Sequence, residues 1–193
     1  MSNTDQQALR KGKVRDIYRG EKGLVLVTTD RVSAFDKVLP NEIPGKGKIL
    51  QSFTKNWLEV LDVPNHLIST NLADAGWWFA TQPDVYAGRT MVVKECDVVP
   101  YEFIVRGHID GSMWRSYERT GRFMDSNLPA GLKRGQALEK PVLTPSTKSQ
   151  EGHDINITYN DMVRRTKFGP QFSSYAITIY KPAYQYAEKR GVY

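Results

Sequence analysis

The 193-residue sequence holds a single cysteine, Cys96, so no disulfide can form within the chain. One thiol fits a reducing compartment. With no evident catalytic partner, Cys96 is expected as a core residue rather than a nucleophile. No apolar run approaches the ~18–20 residues that a membrane span requires. The N-terminal stretch MSNTDQQALRKGK has no apolar signal core, so export is not expected and a cytoplasmic location is. A phosphate loop of the GxxxxGK[ST] type is absent. So is any concentrated basic arm or helix. The 27 Lys and Arg against 21 Asp and Glu leave a net charge of +6, which favours anionic partners. Their dispersal argues for small phosphorylated molecules and against nucleic acid. What is present, 40% apolar and 11% aromatic residues, suffices for a folded core in one domain or two small lobes.

The stretch around which the chain is organised is Val98–Ser112, VVPYEFIVRGHIDGS. An extended segment through Phe103, Ile104 and Val105 is expected to end at Arg106. Gly107 relieves a turn, and Gly111-Ser112 opens a helix over Met113–Arg119. Backbone N–H groups at a helix start, a hydroxyl and a guanidinium can converge on one anion. The plainer reading of the same pattern is a strand, a turn and a helix with a surface arginine.

Upstream, KGKVRDIYRGEKGLVLVTT reads as a β-hairpin: Val14, Ile17 and Tyr18 in one strand, Gly20–Gly23 in the turn, Leu24–Thr28 in a buried second strand. Lys11-Gly12-Lys13, with Arg15 beyond, can lay cations and a pliant backbone over phosphates; the alternative is a solvated basic hairpin. Ser33–Asp36 reads as a turn, and Ile43–Gly47 as a loop carrying Lys46. Lys48–Leu61 is expected to be a helix packing Ile49, Leu50, Phe53, Trp57 and Leu61 on the sheet. Residues 62–88 say least: His66 reads as structural, and Trp77, Trp78 and Phe79 as packing residues. Met91–Val93 forms a strand, with a connector at Lys94–Asp97. Gly121–Leu143 reads as a loop-rich excursion.

Next, LTPSTKSQEGHDIN places a Ser-Thr-Lys cluster before Glu151, His153 and Asp154. The spacing is not that of a zinc site, and no partner cluster exists elsewhere. His153 serves equally well as a brace for the loop. Thr158–Arg190 is mainly helical, capped by Thr158 or Asn160, interrupted at Gly169-Pro170 and closed by Gly191.

Taken together, GKVRDIY, SAFD, IPGKG, VVPYEFIVRGHIDGS and TPSTK followed by GHDIN resemble the SAICAR synthetase family over residues 11 to 193. Tyr101 stands where that pattern prefers an aliphatic residue, Asp110 where it prefers Thr or Ala, and Ile155 where an acid is usual. The resemblance implies an α+β class and a two-lobed fold. Residues 1–95 would form a small antiparallel β lobe covering a nucleotide in ATP-grasp or kinase fashion, and residues 96–193 a larger α/β lobe. It implies an ATP-dependent ligase of purine biosynthesis joining the carboxylate of 5-aminoimidazole-4-carboxyribonucleotide (CAIR) to L-aspartate through an acyl phosphate, with ATP and Mg²⁺ as cofactors.

By the same resemblance, Lys11, Gly12, Lys13, Val14 and Arg15 lie over ATP, with Lys94 at the hinge beside it. Ser33, Asp36 and Lys46 line the substrate cleft. Arg106, Gly111 and Ser112 hold the CAIR phosphate. Ser146 and Lys148 meet the CAIR carboxylate or aspartate, Lys148 and Asp154 are catalytic, and Asp154 sits near the metal. CAIR and aspartate are the expected partners, with no nucleic acid or membrane; a homo-oligomer is left open. Family members continue with strands that supply further acids, a lysine and an arginine. Their absence implies a truncated C-terminal part, and the alternative reading is a catalytically weak nucleotide-binding remnant or subunit.

Overall fold

The computed structural model describes residues 6–35, 37–126, 128–148, 155–166 and 168–192. Packing divides the chain into two compact units, Met1–Val98 and Val99–Tyr193. The class is α+β, with antiparallel pairing throughout.

The first unit is built on a five-stranded sheet in the order β1-β2-β3-β7-β6. These strands are β1 (Arg10–Lys11), β2 (Arg15–Arg19), β3 (Leu24–Thr28), β6 (Leu67–Ser69) and β7 (Thr90–Val93). Branched residues dominate β3 and β7, as suits a pleated surface buried on both faces. Val25, Val27 and Val92 meet Ala75, Phe79 and Tyr86 in one core. Phe79 sits edge-on to Tyr18, Trp78 and Tyr86, with ring centroids 5.4, 5.1 and 5.1 Å away. The aromatics come from three single-turn helices, α2 (Leu72–Ala75), α3 (Trp77–Ala80) and α4 (Pro83–Tyr86). Trp77, expected to pack, is instead 68% exposed. In so short a helix only one side can face the sheet, and Phe79 takes it.

Two further expectations need correction in this unit. Ser33 lies not in a turn but in strand β4 (Arg31–Ala34), which pairs with β5 (Lys37–Glu42). Every residue of β5 is exposed, so no apolar alternation marks it in the sequence. Helix α1 (Lys46–Val60) begins two residues before its expected start and buries Gly47 and Gln51, leaving Ile49 and Phe53 more than half exposed. The contact face is set by Gly47: a Cβ there would come 2.6 Å from the Thr28 carbonyl oxygen, so only glycine lets the helix approach β3 this closely. Cys96, expected in the core, is exposed in the connector after β7.

The second unit pairs β8 (Tyr101–Glu102) with β11 (Ser146–Thr147), and β9 (Val105–His108) with β10 (Ala137–Leu143). Arg106 is therefore the second residue of β9 rather than the end of a strand, because the extended run is broken at residues 103–104. The expected excursion over 121–143 finishes in β10, whose register shifts between Ala137 and Val142. Helix α5 (Gly111–Thr120) buries Met113 and Tyr117 against Ile109 and Phe123. Asp110 caps its start and Gly121, at φ 69°, ends it. Helix α6 (Tyr159–Arg165) is capped by Thr158, whose hydroxyl accepts from the Asp161 amide at 3.0 Å. Helix α7 (Gly169–Glu188) starts at Gly169-Pro170, where interruption was expected; proline in a first turn loses no intrahelical bond. Its end is a glycine stop: Gly191 N–H donates to the Glu188 carbonyl and Val192 N–H to that of Ala187.

Candidate functional site

In the second unit, Arg106 reaches from β9 towards the start of α5. Its Nη2 donates to Ser112 Oγ at 3.3 Å and its Nε to Thr144 Oγ1 at 3.0 Å. Thr144 is itself buried and donates to the Ile104 carbonyl, which holds its hydroxyl for the arginine. Both partners of the guanidinium are thus neutral hydroxyls. Burial pushes Arg106 down from its ordinary value while the charge of Asp110 opposes this. A partly desolvated cation at a helix start, with no carboxylate in contact among the described residues, has the chemistry to receive an anion. Gly111 takes φ 59°, and its Cα lies beside Arg106: a Cβ there would come 3.8 Å from Nη1.

The structure therefore brings Arg106, Gly111 and Ser112 together, as the sequence pattern implied. Thr144 was missed as a partner of Arg106, although it is the first residue of the TPSTK run that drew attention. Ser146 is 2% exposed on β11, and its Oγ has no hydrogen-bond partner among the described residues. Lys148 is exposed just past β11, its amide bonded to the Pro100 carbonyl at 3.0 Å. Asp154, with Glu151 and His153, lies outside the described residues. So does Asp36. Among the described residues no three His, Cys, Asp or Glu gather in a way that could hold a metal ion.

In the first unit, Lys13 and Val14 form the corner between β1 and β2, closed by Gly12 N–H donating to the Arg15 carbonyl at 2.7 Å. A Cβ on Gly12 would come 2.8 Å from that same carbonyl oxygen. Arg31, which sequence reasoning passed over, clamps this corner. Its Nη2 donates to the Gly12 carbonyl at 2.9 Å and its guanidinium to both carboxylate oxygens of Asp16, at 3.1 and 2.6 Å. Lys11 is exposed on β1. Arg15 turns towards α1 and donates to Thr54 Oγ1 at 3.3 Å. The His66 imidazole is held below its usual value by burial first and by the charge of Arg15 second.

Lys46 donates to the Arg31 carbonyl at 3.0 Å and is the first residue of α1 rather than a loop cation. Lys94 is exposed after β7, its amide bonded to the His66 carbonyl. Asp30 also escaped notice. Its carboxylate accepts from the amides of Gly45 and Gly47 at 3.1 and 2.7 Å and from Arg89 at 3.3 Å. It thereby supplies the cap that Gly45 cannot. No pattern could have flagged it, since its partners lie 15 to 59 residues away.

A groove of about 620 Å³ separates α7 from the β9–β10 ribbon, lined by Gly107, His108, Tyr180 and Tyr184 among others, and by none of the residues expected at the site.

These features define an α+β protein whose second unit presents a half-buried arginine, bonded to two hydroxyls, at a helix start. Residues 8–193 match the family model described as SAICAR synthetase. The phosphoribosylaminoimidazole-succinocarboxamide synthase of Thermodesulfovibrio yellowstonii is 43% identical over 188 residues, covering 95% of this chain and 64% of that protein. A SAICAR-synthase from Saccharomyces cerevisiae, complexed with SAICAR, superposes with a TM-score of 0.83 at 32% identity, over 97% of this chain and 65% of that one. A SAICAR synthetase in complex with ADP shares the fold, with a TM-score of 0.67 at 21% identity over 94% of this chain and 69% of that one. The chain belongs to the SAICAR synthetase family. It spans just under two thirds of the length of the bacterial relative.

Proposed function

We propose that this chain carries the substrate-binding machinery of an ATP-dependent C–N ligase that joins CAIR to L-aspartate. A carboxylate is a poor electrophile, so the reaction needs ATP to phosphorylate it. The aspartate amine then attacks the acyl phosphate, releasing phosphate and leaving ADP and the amide. Catalysis of this kind rests on positioning anionic reactants and neutralising their charge.

The observation that carries the reading is Arg106, half-buried, reaching the first turn of α5 and bonded among the described residues only to Ser112 and Thr144. In this reading it receives the CAIR phosphate together with Ser112 Oγ, beside Gly111, whose own amide is held by Asp110. The orphan hydroxyl of Ser146 supports a polar ligand group close to β11, assigned to the CAIR carboxylate or to aspartate, with Lys148 nearby in sequence. The first unit takes the nucleotide, with Lys11, Gly12, Lys13, Val14 and Arg15 at the β1–β2 corner and Lys94 after β7. Ser33 and Lys46 belong with the substrates in this assignment. Among the described residues no cluster of three His, Cys, Asp or Glu offers a donor set for Mg²⁺. Mg²⁺ commonly takes only one or two protein carboxylates beside phosphates and water, and the family resemblance assigns that role to Asp154.

The test is ADP formation that depends on both CAIR and aspartate, with the product identified by mass spectrometry, alongside ligand binding to Arg106→Ala. The variant is expected to lose roughly 1.5–3 kcal/mol of CAIR binding, the range for a hydrogen bond to a charged group, while ATP binding holds. Equal losses for both ligands would remove the assignment.

A further inference from the structure

The start of α5 carries a second arginine. Arg134 Nε donates to Asp110 Oδ1 at 2.9 Å, and the same oxygen accepts from the Gly111 amide at 2.7 Å. The placement of Arg134 is architectural. It occupies the first corner of a turn in which Gln136 N–H donates to the Lys133 carbonyl at 3.0 Å, with Gly135 at φ 77° as the second corner, a conformation glycine adopts without strain. That turn is pinned to the residue before Asp110 by two backbone bonds, Gly135 N–H to the Ile109 carbonyl at 2.8 Å and Ile109 N–H to the Gln136 carbonyl at 3.0 Å. The Lys133 amide is held in turn by the Gln136 side chain at 2.9 Å.

Charge gives this arrangement its meaning. The Gly111 amide, then Arg134 and Arg106, hold the Asp110 carboxyl below its ordinary value, so it stays ionised. Arg106 and Asp110 alone would sum to zero at the first turn of α5. Arg134 restores a net positive charge there. Only its Nε is engaged; its two terminal nitrogens have no hydrogen-bond partner among the described residues. The Arg134 and Asp110 side chains are 68% and 56% exposed, so this ion pair faces solvent.

We propose that Arg134, positioned by Asp110, is a second phosphate-binding arginine of this site, drawing a phosphomonoester to the start of α5 and contacting it from the solvent side. The inference rests on the reading of Arg106 and Ser112 as a phosphate receptor. Because Arg134 stands at the rim, it acts on encounter rate and salt dependence more than a buried contact would, and its effect is screened within about a Debye length.

The experiment titrates the full chain and its Arg134→Ala, Arg134→Lys and Arg106→Ala variants with CAIR and with its dephosphorylated riboside, at low and high ionic strength. Arg134→Ala is expected to weaken CAIR binding roughly threefold to fivefold at low salt, in line with exposed charge pairs. The loss shrinks at high salt, the riboside is unaffected, and Arg134→Lys recovers most of the affinity. If Arg106→Ala weakens CAIR binding but Arg134→Ala does not, the role of Arg134 is overturned and the receptor reading stands. If CAIR does not bind the unaltered chain, or binds it unchanged by Arg106→Ala, the receptor reading falls and this inference with it. An equal loss for CAIR and the riboside on Arg134→Ala would mark a structural role and also overturn it.

Discussion

Arg31 holds both oxygens of the Asp16 carboxylate, at 3.1 and 2.6 Å, while donating to the Gly12 carbonyl at 2.9 Å. One guanidinium thus fastens the start of β2 to the β1–β2 corner that bears Lys13. Asp16 is 7% exposed, so removal of Arg31 would strand a buried carboxylate. Arg31→Ala is expected to lower stability by about 3 kcal/mol, the low end for breaking a buried pair. Urea unfolding measures this. Amide exchange at Gly12 and Arg15 should quicken in the variant well before global unfolding. Exchange that stays unchanged there would show that the corner holds without the clamp.

Asp30 offers a pH-dependent prediction. The Gly47 amide above all, then Gly45 and Arg89, hold its carboxyl below the ordinary value of 3.8 against the opposing effect of burial. A carboxyl lowered by folding adds stability that is complete above the unfolded value and fades as pH falls from about 3.8 through the lower folded value. Asp30→Asn keeps an acceptor for the α1 amides but cannot titrate. Its stability curve should therefore be flatter than that of the unaltered chain below pH 4, and lower at pH 7 (urea midpoints at both values decide). Parallel curves would contradict the proposed cap.

Gly107 faces the Tyr180 hydroxyl so closely that an added Cβ would overlap it at 1.7 Å. The ring of Tyr180 stacks on Tyr184 at 5.9 Å and cannot turn aside without leaving that contact. Gly107→Ala should cost about 1–3 kcal/mol, the range for an overfilled site. The same substitution should cost much less in a Tyr180→Ala background. A double-mutant cycle by denaturant unfolding reads the coupling, and additive effects would show that α7 does not press on β9 here.

Cys96 is exposed in the connector after β7. One equivalent of a thiol reagent should react with the native chain, at a rate close to that seen after unfolding. Protection until denaturation would return the residue to the core.

Much of the backbone was legible because its determinants are local. The short apolar run Leu24–Thr28 and the Gly20–Gly23 turn predict β2 and β3, and Gly111-Ser112 opening Met113–Arg119 predicts α5, because these signals are written in neighbouring residues. The contact at the proposed phosphate site was legible for the same reason: Arg106 and Ser112 lie six residues apart. Its environment was not. Thr144 comes 38 residues later and Arg134 stands 24 from Asp110, and only the pairing of β9 with β10 and the turn tied to Ile109 bring them to α5. The same holds for burial. Sequence alone ranks Ile49, Phe53, Trp77 and Cys96 as core candidates by their apolar surface. The close approach allowed by Gly47 and the single sheet-facing side of α3 decide instead for Gln51 and Phe79. Residue chemistry determined which elements form and which charges exist; which of those charges lose water and which find partners was decided by contacts between residues far apart in the chain.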